Sequence, residues 1–157
     1  MKRLIGNFCL TGYLLSGMAV AQADETKPAS AYAHARSQFI LYCSGCHQAD
    51  GAGHPNVGIP SMQNTLGNFV RSPAGRAFLV QVPGARNATV SDAELAELTN
   101  WELQTFSKKT LPENYQPYTS AEVTQARSAP PSDIPRARAQ IIKDLQSKNL
   151  IAEDGIK

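Results

Sequence analysis

Three cysteines in 157 residues are too few for a scaffold stapled by disulfides. Charge of one sign is also scarce. The 15 Lys and Arg stand against 13 Asp and Glu and are scattered, which excludes the concentrated basic face that a nucleic-acid binder needs. No internal repeat is visible, and strand-like alternation of apolar and polar residues is nearly absent. The expected fold class is therefore all-α. What the chain does have is 42% apolar against 18% charged residues, enough for a packed core and against wholesale disorder.

The one run apolar enough to interest a membrane is N-terminal. Lys2 and Arg3 precede an apolar stretch from Phe8 to Leu15, and Ala21-Gln22-Ala23 offers the small-x-small pattern that signal peptidase reads. We read residues 1–23 as a secretory signal peptide. The competing reading, a retained anchor, is weakened by Asn7, Thr11, Gly12, Ser16 and Gly17, which leave no run of about 18 clean apolar residues. Cleavage removes Cys9, Lys2 and Arg3, so the remaining bases balance the 13 acids. The expected location is the periplasm, soluble and without a membrane anchor. Cys43 and Cys46 are left in an oxidising compartment, where free thiols are seldom idle.

Along the mature chain, residues 24–30 read as a frayed linker and Ala31 to Tyr42 as a helix leading into Cys43. Residues 48–75, rich in Gly and Pro, read as a long loop with a short helix near Asn64 to Val70. Arg76 to Gln81 is helix or extended, broken by Pro83 and Gly84. Ser91-Asp92-Ala93-Glu94 forms a capping box. Behind it, Leu95, Leu98 and Trp101 make an apolar stripe, with Glu94, Glu97 and Glu102 expected to point elsewhere and an end near Ser107. A second cap at Thr119 to Glu122 predicts a short helix. Ser132 or Asp133 caps a last one from Ile134 to about Lys148, with Ile141 and Leu145 on its apolar stripe.

Cys43-Ser44-Gly45-Cys46-His47 carries the chemistry. It is C-x-x-C-H, the attachment sequence of haem c. Two thiols three residues apart can each add across one vinyl group of the same haem, and the adjacent His47 supplies the proximal axial nitrogen to the iron. A thioredoxin-type pair would sit in a βαβ pattern, which is missing, and would leave His47 unexplained. A zinc site would need a second ligand pair, which is also missing.

With these residues in hand, the chain resembles the small class I cytochrome c family over roughly residues 31–107. Ala35 and Phe39 stand where the family has a small residue and an aromatic ahead of the motif. Asp50-Gly51-Ala52-Gly53 and Pro60-Ser61-Met62 match its acidic-Gly-x-Gly loop and Pro-x-Leu step, and Ser91-Asp92 with Trp101 match its last helix. The resemblance implies that the Pro60 carbonyl accepts the His47 N–H and that the first and last core helices cross near Ala35 and Trp101. The division expected is a signal peptide 1–23, a cytochrome c domain 24–107, and an extension 108–157 whose Tyr115, Tyr118, Val123 and Ile141/Leu145 stripe pack on the haem domain.

The sixth iron position departs from the family. Electron-transfer members supply a Met from the loop before the last core helix, and here Pro83 to Ala88 holds none. Met62, the only methionine after residue 23, is one candidate, with packing against the porphyrin as its alternative role. Asn87, which stands at the position of the missing Met, is another, as a weak ligand or beside an open site. His34 and His54 complete the set. The expected function is a one-electron carrier with one haem c and no enzyme activity, exchanging electrons transiently with periplasmic donor and acceptor redox proteins. The alternative is a haem protein binding oxygen, nitric oxide or a similar ligand at an open or Asn-ligated site. Peroxidase-like turnover, to which Arg86 could contribute, ranks below both.

Overall fold

A computed structural model describes residues 26–151. The signal peptide, its cleavage site and Cys9 lie outside the described residues. Among the described residues eight α-helices follow one another: α1 (Thr26–Tyr42), α2 (Ser44–His47), α3 (Leu66–Phe69), α4 (Pro73–Gln81), α5 (Pro83–Arg86), α6 (Asp92–Phe106), α7 (Ser120–Ser128) and α8 (Ile134–Ser147). Two 3-10 turns, Pro55–Val57 and Lys108–Thr110, lie between them. Among the described residues the only β contact is an isolated bridge between His54 and Ile59, so the fold is all-α.

Local chemistry explains most boundaries. Helix α1 starts at Thr26, earlier than expected, so residues 26–30 are helical rather than linker. Pro28 falls in the first turn, where its missing N–H breaks no intrahelical bond. Pro73 to Gln81 is helix, with Pro73 at its first position and the Ser72 hydroxyl accepting from the Gly75 N–H. Val82 is extended, and Pro83 opens a new short helix instead of a loop. The full capping box at Ser91 and Glu94 starts α6, the Thr119 hydroxyl caps α7, and Asp133 caps α8.

Helix α1 packs across α6, with Ala35 and Phe39 buried among Leu95, Leu98 and Trp101. The Phe39 and Trp101 rings lie 5.3 Å apart, and Phe106 meets Trp101 edge-on at 5.4 Å. Residues beyond 107 share this core through Tyr118, Val123 and Ala126. A second cluster joins Ile141 and Leu145 of α8 to Phe69 and Phe78. Charge fastens the same segment. Arg76 of α4 donates two bonds of 2.8 Å to the Glu122 carboxylate while its guanidinium lies over Tyr118 at 4.2 Å.

Candidate functional site

Helix α1 delivers the motif. The Cys43 N–H still donates to the Phe39 carbonyl at 2.9 Å, and the Cys46 and His47 N–H groups both turn back to the Cys43 carbonyl. Cys43 to His47 is thus one helical turn added to α1, with Ser44 Oγ donating to the Ile40 carbonyl at 2.8 Å. Cys43 is half-buried, Cys46 is exposed, and both are free thiols. At three residues' spacing they share a face of the turn. Gly45 between them meets nothing within 4 Å of where a Cβ would stand, so the turn borders open space.

Behind His47 the loop is stitched by its own backbone. The Gly53 N–H donates to the His47 carbonyl at 2.9 Å, Met62 N–H to the Gly51 carbonyl at 2.8 Å, and Gln48 Nε2 to the Gly53 carbonyl. Gly53 has φ +67°, and a Cβ there would lie 2.5 Å from the Pro60 carbonyl oxygen. No other residue lets the Pro60 strand pass so close. Burial lowers the His47 pKa, and the Pro60 backbone opposes it by favouring the protonated ring. Nδ1 nevertheless remains buried without a completed hydrogen bond. The hydrogen bond from the His47 ring to the Pro60 carbonyl that the resemblance implies is not formed in this structure.

Two free thiols on one face and an adjacent imidazole with one nitrogen turned into the protein fit a covalently tethered haem. Cys43 and Cys46 would hold it and His47 would face its iron. Among the described residues no three His, Cys, Asp or Glu come together in a metal-ligand group, so a purely protein-ligated site has no donors.

The distal candidates separate. Met62 follows Pro60 on the loop behind His47 and packs, partly buried, against the main core. Asn87 is exposed and caps the end of α5, on the segment ahead of α6. His34 is exposed on α1, 3.8 Å from both Glu94 and Glu97, and His54 is exposed in its bridge to Ile59.

One residue of the site corrects the sequence reading. Glu102 does not point away from the core. It is only 9% exposed, with the Cys43 thiol as its polar neighbour. Burial pushes its pKa up to about 8, the thiol opposing this, and burial together with Glu102 pushes Cys43 up to about 12. The spacing Leu95, Leu98, Glu102 is the i, i+3, i+7 stripe itself, a signal that was present. That this stripe meets Cys43, 59 positions earlier in the chain than Glu102, could be known only from the packing of α1 on α6.

The chain is 27% identical over 146 residues to cytochrome c-552 of Thermus thermophilus, covering 82% of this chain and 88% of that protein. No protein-family model matches the chain, and no solved structure matches it.

Proposed function

We propose that this protein is an exported monohaem c-type cytochrome that carries single electrons between redox proteins of the periplasm. The observation that carries the reading is the turn Cys43 to His47, with both thiols free and the imidazole backed by the Pro60 loop. The name and near-full-length similarity of the Thermus relative support it. Residues 1–23 would direct export, and the helices after residue 107 would complete the haem domain. No helix among the described residues is long and apolar enough to cross a membrane.

When bound, the haem supplies a one-electron couple at its iron. The chain's own residues do the rest. Cys43 and Cys46 anchor the group, so that it cannot leave during turnover. His47 is anchored at its backbone by the loop that Gly53 lets close beside it. Glu102 remains neutral at pH 7, so the wall beside Cys43 is polar but carries no buried negative charge. Donor and acceptor would dock briefly over a small interface, of the order of 1,200 Å² or less.

A second reading has its own observation. Met62 is engaged with the core behind His47, while the segment 83–88 ahead of α6 offers Asn87 and no thioether. This favours an Asn-ligated or open sixth position able to bind a small ligand. Mass spectrometry of the exported protein should show residues 24–157 plus one haem that acid-acetone does not extract. A bare polypeptide mass would overturn the proposal. A low-spin ferrous spectrum indifferent to carbon monoxide selects the carrier. Rapid carbon monoxide binding by a protein with a high-spin ferric form selects the second reading.

A further inference from the structure

Helix α7 holds a side chain whose bonds all go to one distant segment. Arg127 has five N–H donors, and each is used. Nε and Nη2 donate to the Arg86 carbonyl at 3.2 and 2.7 Å, Nη2 also to Ala88 at 3.1 Å, and Nη1 to the Val90 carbonyl at 3.2 Å and Asp92 Oδ1 at 2.7 Å. The side chain is only 18% exposed. The segment itself makes only local bonds: Arg86, Asn87 and Ala88 donate to Val82, Pro83 and Ala85. Ala85 and Val90 touch the core. Toward α1, Thr89 and Val90 border a cleft of about 290 Å³, also lined by Leu41 and Tyr42.

We propose that Arg127 is a positioning residue that latches the segment 86–90, so that the C-terminal extension controls ligand access to the iron. This rests on the haem reading above, and on its second form, in which the segment carrying Asn87 borders the sixth position. The carbonyls of Arg86, Ala88 and Val90 point at one guanidinium and have no other side-chain donor, and Asn87 sits between the first two of them. A lysine has the charge but three donors on one atom, and cannot span three carbonyls and a carboxylate at once.

The test uses the holoprotein and two readouts. Wild type, Arg127→Lys, Arg127→Ala and the control Gln81→Ala are compared; Gln81 Nε2 donates to the Ala126 and Ala129 carbonyls, outside 86–90. Hydrogen exchange at the Asn87 and Ala88 amides and the rate of imidazole binding to the ferric protein should both rise about tenfold or more in Arg127→Lys, from loss of charge-assisted bonds. Gln81→Ala should change neither by more than about twofold. Arg127→Lys is the deciding variant should Arg127→Ala fail to fold. Faster exchange at 87–88 with unchanged imidazole binding overturns the latch and leaves the haem reading standing. A protein that carries no covalent haem overturns both.

Discussion

The two segments that flank the proposed haem are held in opposite ways. The loop from Gln48 to Asn64 closes largely on itself: Gly53 to His47, Met62 to Gly51, a two-way pairing of His54 with Ile59, and Gln63 Nε2 to Asp50. Outside help comes from its far end, where Asn64 donates to Phe106 and Ser107 Oγ to the Met62 carbonyl. The segment 82–90 has little of its own beyond one turn of helix, and is fixed by an arginine contributed from α7. The lesson concerns division of labour. The loop next to His47 is built from neighbouring sequence, whereas the segment proposed to border the sixth position depends on an arginine from a distant helix.

Both segments hang from α6, so the largest expected effect breaks the comparison altogether. Trp101 is 8% exposed and packs on Phe39 and Phe106. Trp101→Ala should cost about 3–5 kcal/mol in denaturant titration and loosen both segments together. A loss under about 1 kcal/mol would mean the α1–α6 crossing bears little of the fold.

Gly53→Ala should act on one side alone. It adds a Cβ at 2.5 Å from the Pro60 carbonyl and forces a side chain onto φ +67°. We expect a loss of roughly 2–4 kcal/mol, with hydrogen exchange speeding in residues 51–62 and not in 86–90. Equal acceleration in both would erase the distinction between them.

A smaller effect probes the wall beside Cys43. The Glu102 pKa is raised from the ordinary 4.5 to about 8, so between these values the native chain holds a proton that the unfolded chain has released. Stability should therefore fall, by a few kcal/mol at most, as pH rises through that window, and be flat above it. Glu102→Gln should flatten the profile and be the more stable form at pH 8 and above. A wild-type profile already flat from pH 5 to 8 would show that Glu102 ionises in the native state without penalty.

The smallest effect sharpens the contrast. Ser107 is fully buried, and its hydroxyl is the side-chain tie that holds the His47 loop from outside, donating to the Met62 carbonyl at 2.7 Å. Ser107→Ala should cost about 1–2 kcal/mol and raise exchange near Met62, without the change in imidazole binding expected of Arg127→Lys. A change in imidazole binding as large as that variant's would show that the two flanks are coupled.

By itself the sequence determined most features written within a few residues, though not the helical start at Thr26, the short helix at Pro83 or which of Ser132 and Asp133 caps the last helix. The C-x-x-C-H turn needs only three-residue spacing, and the caps at Ser91, Thr119 and Asp133 need a side chain within reach of the N–H three positions on. The all-α class follows from periodicity alone. Tertiary structure decided what depends on residues tens of positions apart. Glu102 lies on the apolar stripe of α6, yet its burial against Cys43 required α1 to cross there. Arg127 reads as an ordinary surface base near the end of a short helix until α7 brings it beneath the carbonyls of 86, 88 and 90. Local patterns are fixed by backbone geometry, which any stretch of chain carries with it. Which distant groups meet is fixed by burial of the shared core, and no short stretch records that.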